Sequence, residues 1–413
     1  MACDEAIALQ RELLGHDERA ARLPILLWKK SGLLFTLKRV DEAFASQRES
    51  IALLRKRVSA GLEKHGRVLI LISLTELGTR LKKHDRSGEE AQRIREEVIF
   101  LRRELAAESR DEKLGLALVH YKKGLDLARG GRHEEAVEFY REAIKLRREL
   151  VAGGQQSARR ELFESLFWQG YSMSALSQRA EALATYTEAI PLARELVAEG
   201  ERSLRSKLSD AFYMQALAMK ELKRYEEAVS AHGEAITLRS ELLADGQNEV
   251  REHLANAFFA QGIAMKALEH NEEAVATYGE AIKLRRELMA EGKQEMRAHL
   301  GNALCLQANA MVALERHEEA VTAYGEAIKL RRELMAEGKH EMRDVLASWF
   351  QGQASAMAAL KRPEEAVTAY REAITLRREL VAEGQKEVRA ILANSLQLYA
   401  RASWNATKRH SQP

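Results

Sequence analysis

Proline is almost missing from this chain, with 4 residues in 413. Proline removes a backbone donor and breaks helices, so its scarcity leaves long helices free to form. Cysteine is scarcer still: Cys3 and Cys305 are the whole supply. Two thiols make neither a disulfide framework nor a cysteine metal site, and they fit a reducing, cytoplasmic compartment. Long apolar runs are lacking too. Residues 23–37 are interrupted by Lys29 and Lys30, and residues 68–74 are too few to span a bilayer. The opening segment MACDEAIALQREL is charged and amphipathic rather than leader-like. Asn405, Ala406 and Thr407 match the glycosylation acceptor pattern by chance, since nothing else is secretory in style.

Charge of a single sign is also missing. The net charge is +3, although 31% of residues are charged. Residues 1–110 hold 22 basic against 17 acidic side chains, and residues 111–413 hold 43 against 45. Neither stretch has the concentrated basic excess of a nucleic-acid footprint. The motifs of chemistry are absent as well. There is no glycine-rich phosphate loop and no His-Glu-x-x-His string. His133 and His317 share a register position with Arg179, Tyr225, Asn271 and Pro363, a set that no metal site tolerates. Cys305 has no local base. The expectation is a protein without catalytic residues, metal or cofactor.

What is present is a period. Glu-Ala-Ile recurs at Glu142, Glu188, Glu234, Glu280, Glu326 and Glu372, 46 residues apart each time. A fixed step of this size marks a solenoid of stacked repeats. Within residues 249–294 the second half places Ala274, Tyr278, Ala281, Ile282 and Leu288 at helical spacing. Glu272 and Glu273 sit in its first turn, where a helix dipole favours negative charge. Gly292 closes it, and Gly154, Gly200, Gly246, Gly338 and Gly384 fall in register. This is helix B. The first half, with Leu254, Phe258, Gly262, Met265 and Leu268 three or four apart, is helix A. The turn from A to B is short, so the two are antiparallel neighbours. Pro363 falls near a helix start, where proline is tolerated.

The pattern persists in weaker form toward the start. Residues 89–105 align with residues 134–150, residues 41–58 align next, and residues 5–13 still match the end of a helix B. Nine helices of each kind, about eighteen in all, are expected. Residues 1–110 break the step, with 44, 48 and 45 residues between Ile7, Ile51, Ile99 and Ile144. They are read as an irregular cap or docking face, residues 111–405 as regular repeats and residues 406–413 as a tail. The apolar cluster Leu26, Leu27, Trp28, Leu33, Leu34 and Phe35 suggests self-association through the irregular part.

Taken together, the unit resembles the tetratricopeptide repeat. The carrying residues are Phe258, Gly262, Met265, Ala274, Tyr278 and Ala281, and in the preceding unit Phe212, Ala216, Met219, Ala228, His232 and Ala235. The step exceeds the family's ~34 residues, and glutamine (Gln169, Gln215, Gln261, Gln307, Gln353) stands where that family usually has leucine. The variant resembles long-helix members such as those of bacterial signalling proteins. The glutamines are expected to bond the adjacent helix and set the repeat spacing. The resemblance implies an all-α, right-handed superhelical solenoid whose concave groove, lined by helix A, binds a peptide or protein segment.

Three helix A columns would then face the groove. One reads Tyr121, Phe167, Tyr213, Phe259, Cys305, Gln351, Gln397. A second reads Glu164, Asp210, Asn256, Asn302, Ser348, Asn394, and a third Tyr171, Leu217, Ile263, Asn309, Ser355, Arg401. Lys220 and Lys266 add charge. The first column drifts from aromatic to polar, which favours recognition over packing. On helix B, Arg147, Arg239, Arg285, Arg331 and Arg377 run beside Arg148, Arg194, Arg286, Arg332 and Arg378, each followed by glutamate. Interleaved charge of this kind is expected on a solvated face. The expected function is a protein-interaction scaffold in the cytoplasm, with no nucleic acid or membrane partner. The alternative is a regulatory or sensor subunit that controls a separate effector such as a protease or signalling ATPase.

Overall fold

The computed structural model describes residues 23–60, 66–84, 88–107, 110–338 and 342–410. Among these residues there are seventeen α-helices and no strand. The chain divides into two compact units, Met1–Ser177 and Gln178–Pro413. This division falls inside the regular repeats, whereas the change in repeat spacing falls near residue 110. The first expected helix B, at residues 5–13, lies outside the described residues.

The first unit contains α1 (Leu23–Thr36), α2 (Val40–Ser59), α3 (Gly66–Lys83), α4 (Glu89–Ala107), α5 (Arg110–Arg129), α6 (His133–Ala152) and α7 (Ala158–Ala175). Odd-numbered helices are type A and even-numbered helices type B. Phe44, Ile51, Leu54, Ile70, Leu74, Leu77 and Ile94 form one core. Most of the apolar cluster suspected of docking is internal packing. Leu27 and Leu34 are buried, and Leu33 is 57% exposed. Trp28 donates its Nε1–H to Glu76 at 2.5 Å. Glu76 is itself buried, facing Arg80 and, at 3.2 Å, Lys123. Burial pushes the Glu76 carboxyl up, but Lys123 and Arg80 more than offset it, and its pKa lies below the ordinary range.

The second unit contains α8 (Arg179–Ala198), α9 (Arg205–Glu221), α10 (Tyr225–Ala244), α11 (Arg251–Ala267), α12 (Asn271–Ala290), α13 (Met296–Ala313), α14 (His317–Ala336), α15 (Arg343–Ala359), α16 (Pro363–Ala382) and α17 (Val388–His410). Its core is built on alanine and tyrosine. Ala274, Ala281, Ala320, Ala327, Ala366 and Ala373 are wholly buried, and Tyr278, Tyr324 and Tyr370 are buried beside them. Small residues let helices approach closely, and the rings fill the space between. Gly262 shows the fit: a Cβ there would come within 2.7 Å of the Tyr278 ring.

Where the structure describes them, both chain reversals of the regular repeats are closed by a left-handed residue. After helix B, Gly292 adopts φ +97° and Lys293 N–H reaches back to Leu288 O at 3.1 Å. This is a Schellman closure, and glycine supplies its left-handed residue without steric cost. After helix A the left-handed residue is Ser177, Lys223, Glu269, Glu315 or Lys361, with φ between 58° and 62°. Among the described residues, only Gly131 supplies glycine at this place. Left-handed geometry costs a non-glycine residue about 1–2 kcal/mol. Glu269→Gly is therefore expected to stabilise the chain by about 0.5–1 kcal/mol, net of glycine's greater freedom when unfolded. A raised urea midpoint checks it, and a lowered one contradicts it.

The glutamine ladder bonds backbone across successive repeats. Gln261, Gln307 and Gln353 donate Nε2–H to the carbonyls of Val229, Val275 and Val321 at 3.1, 3.0 and 3.2 Å. In the first unit Gln169 reaches Val137 O at 3.4 Å. The exception is Gln215, which bonds Thr187 Oγ1 at 3.2 Å. Thr187 lies four residues before Pro191, inside α8, where the ring removes one helical donor. Exposed ion pairs run along the outside. Arg286 meets Glu326 at 2.6 Å, Arg332 meets Glu372 at 2.8 Å and Arg194 meets Glu234 at 2.8 Å. Each is worth a few tenths of a kcal/mol.

Candidate functional site

The helix B arginines are not one solvated face. Successive residues on a helix point about 100° apart, so neighbouring arginines part company. Arg194, Arg286 and Arg332 lie outside in the ion pairs above. Arg147, Arg239, Arg285, Arg331 and Arg377 are at most 2% exposed. The expectation of a solvated column is corrected for these five. Each is held by hydrogen bonds. Arg285 donates to His299 O at 2.7 Å and to Asn256 Oδ1 at 3.2 Å. Arg239 does the same with His253 O and Asp210, both at 2.8 Å. Arg331 reaches Asn302 Oδ1 at 2.7 Å, and Arg377 reaches Ser348 Oγ at 3.1 Å. Burial pushes the Arg285 pKa down to about 10, which leaves it charged at neutral pH.

This arrangement explains two of the three helix A columns. Asn256 and Asn302 accept from arginine. Tyr213 and Phe259 lie under Arg239 and Arg285, 4.9 and 4.5 Å from guanidinium to ring centre. The drift from aromatic to polar has a packing cause. Arg331 stacks instead on Trp349, at 4.5 Å, and Arg377 bonds Gln351 Oε1, so neither needs a ring in the first column. In the first unit Arg147 covers Tyr121 at 4.7 Å, and the Tyr121 hydroxyl donates to Glu164 at 3.0 Å. Phe167 is buried. Cys305 is buried too, and its thiol is pushed up to about 12, so it is no nucleophile at neutral pH.

The third column stands apart. On α11, Asn256, Phe259, Ile263 and Lys266 form one stripe at helical spacing, each partly exposed, while Leu254, Ala257, Ala260 and Ala264 are buried. On α9 the stripe reads Asp210, Tyr213, Leu217, Lys220. On α13 Asn309 is exposed and accepts from the Tyr324 hydroxyl. On α15 Ser355 is exposed and lies 3.0 Å from the Tyr370 hydroxyl. On α17 Asn394, Gln397 and Arg401 are all exposed. Ser355, Tyr370, Leu398, Arg401 and Asn405 line a hollow of about 320 Å³. Tyr171, in the first unit, is 42% exposed and packs edge-on against Trp168. The residues that sequence reasoning placed in the groove therefore fall into two sets. The first two columns mostly serve the buried arginines, and the third column with Lys220 and Lys266 is left facing out.

Among the described residues no group of three or more His, Cys, Asp or Glu side chains is placed to hold a metal ion. No described helix is long and apolar enough to cross a membrane.

The stacked antiparallel pairs, the closing turns and the inter-repeat bonds define an all-α helical-repeat solenoid. Tetratricopeptide repeat profiles match residues 122–152 and 301–334. The profile of anaphase-promoting complex subunit 5 matches residues 154–199, 242–291 and 339–385, each block about one helix pair long. The chain belongs to the tetratricopeptide repeat family. No curated protein sequence matches it. Among solved structures it is similar to BtubC (BKLC) from P. vanneervenii, at 17% identity over 60% of this chain and 92% of that one, with a TM-score of 0.45. It is similar to the apo form of RapI at 12% identity, over 71% and 99%, with a TM-score of 0.44. YrrB, described as a TPR protein with an unusual peptide-binding site, shares 18% identity over 51% and 84%, with a TM-score of 0.34. With TM-scores this low, none of these likenesses bears on what this chain binds.

Proposed function

We propose that this chain is a non-catalytic interaction scaffold, cytoplasmic, and that the helix A stripe of residues 205–405 holds a protein segment. One observation carries the reading. Leu217 and Ile263 stay partly exposed at the same register, flanked by Tyr213 and Phe259, while Leu254, Ala257, Ala260 and Ala264 of α11 are closed off by packing. Aligned apolar surface kept in contact with water in a fold that buries its core this thoroughly is a mark of a binding face. Beside it stand donors that can meet the carbonyls of an extended chain. Asn256 and Asn302 have their oxygens turned to arginine, which leaves their amide N–H groups as donors. Nucleic acid is disfavoured, because outer arginines such as Arg286 and Arg332 are already paired with glutamates.

Selection from a random twelve-residue peptide library on the full chain tests this. Selected peptides are expected to compete with one another. They should lose roughly five- to tenfold in affinity on Ile263→Ala, the cost of truncating one apolar anchor. Arg286→Ala, on the outside of helix B, should leave affinity unchanged. Binding that responds to Arg286→Ala and ignores Ile263→Ala would refute the assignment.

A further inference from the structure

The charges on this stripe carry the reading one step further, to the chemistry of the segment held. Lys220 and Lys266 occupy the same register on α9 and α11, and Arg401 stands one turn away from that register on α17. None of the three has a carboxylate within ion-pair distance among the described residues. Elsewhere in the same unit, cations at repeated positions are matched. Arg205 meets Asp245 and Arg343 meets Glu383, both at 2.5 Å, and Arg297 meets Glu337 at 2.6 Å. The fold thus places acids opposite these three partly exposed arginines at repeated positions. The stripe itself offers a single acid, Asp210, and Arg239 already holds it at 2.8 Å. At the level of Leu217 and Ile263 the face therefore carries cations and amide donors, and the acid of α11 is Glu252, one turn before Asn256.

We propose that the segment bound here is acidic and that its acidic side chains recur every third residue. The inference rests on the groove reading above. The spacing follows from geometry. Helices in contact lie about 8–10 Å apart, and α9 and α11 do touch. A polyproline II chain rises about 3.1 Å per residue with three residues per turn, so like side chains return to one face every ~9 Å. That step matches one repeat. A flat β-strand does not match, because its side chains return to one face every second residue, about 6.6–6.8 Å. In the matching conformation one side chain in three meets Lys220 or Lys266. A second meets the apolar surface of Leu217 or Ile263, one helical turn away on the same stripe. The third points to water. The segment reads acidic, apolar, any residue, in repetition.

The full chain should be titrated with three fluorescein-labelled twelve-residue peptides: four copies of Glu-Leu-Pro, of Lys-Leu-Pro or of Ser-Leu-Pro. Proline pre-forms the extended helix and reduces the ordering cost. The glutamate peptide is expected to bind about tenfold tighter than the lysine peptide, the yield of two exposed ion pairs gained against two repulsions avoided. Raising the salt should shrink the difference. Lys220→Glu with Lys266→Glu should invert the preference, and Lys220→Gln with Lys266→Gln should erase it. If the lysine peptide binds as well as the glutamate peptide, or the charge-reversed variant keeps the original preference, the acidic inference is wrong. If the serine peptide binds equally and depends on Ile263, the groove reading survives that failure. Binding by none of the three overturns both readings. Displacement of the glutamate peptide by a twelve-nucleotide poly-dT would also overturn the acidic-peptide inference.

Discussion

Arg285→Ala is expected to destabilise its repeat by about 2–4 kcal/mol. The guanidinium is 1% exposed and donates to His299 O and Asn256 Oδ1 while covering Phe259. Hydrogen bonds from a charged donor contribute about 1.5–3 kcal/mol each when buried, and truncation also leaves a void and an unpaired carbonyl. Arg285→Met should recover part of the loss, because it fills the volume without a charge to desolvate. Arg285→Lys should not recover the hydrogen bonds, since an ammonium cannot fork between two acceptors set by a planar group. Repeat arrays do not unfold in a strict two-state manner, so a local probe is the right one. Amide exchange in α11–α13 should accelerate by about thirty- to a thousandfold in the alanine variant. Unchanged exchange would mean that the column is dispensable.

Acid should weaken the second unit before the carboxylates titrate, because of His232. It stands where the other regular repeats carry Tyr140, Tyr186, Tyr278, Tyr324 and Tyr370. It is wholly buried, 5.4 Å from the Tyr213 ring, and neither ring nitrogen has a hydrogen-bond partner among the described residues. Burial, with smaller contributions from Arg239 and Lys220, pushes its pKa down to about 3. The unfolded chain takes up this proton near pH 6.5, whereas the folded chain does so only near pH 3. The stability that comes from keeping the ring neutral is thus complete above about pH 6.5. It falls by about 1.4 kcal/mol per pH unit below that, down to about pH 3. His232→Tyr should flatten the stability profile between pH 6.5 and 5, where carboxylates contribute little. An unaltered slope in that variant would assign the acid sensitivity elsewhere.

These two residues show what the sequence makes legible. The 46-residue step, the closing glycines and the glutamine ladder are visible because each depends on one residue type that nothing else replaces. Glu269, Glu315 and Lys361 hide a left-handed turn, since neither glutamate nor lysine is a signal for one. The buried arginines hide for a different reason. Arg285, Arg286 and Glu287 read as one charged cluster along the chain, although the helix sends them to different faces. A signal was present. Asp210, Asn256, Asn302 and Ser348, each able to accept from a forked donor, precede Arg239, Arg285, Arg331 and Arg377 by 29 residues throughout. The aromatic-to-polar drift reads as recognition along the chain because the arginine's change of partner, from Phe259 to Trp349 to Gln351, is invisible until the helices are stacked. What the structure leaves facing out is the third column and the two lysines, and these are the residues that function must answer for.

On this proposal, architecture and recognition occupy different columns of the same repeat. Stability and glutamate-peptide affinity, measured on one preparation of the Lys220→Glu, Lys266→Glu double variant, test it most directly. The urea midpoint should be unchanged while the preference between the glutamate and lysine peptides reverses. A lowered midpoint with the peptide preference intact would show that these lysines belong to the fold and not to the binding face.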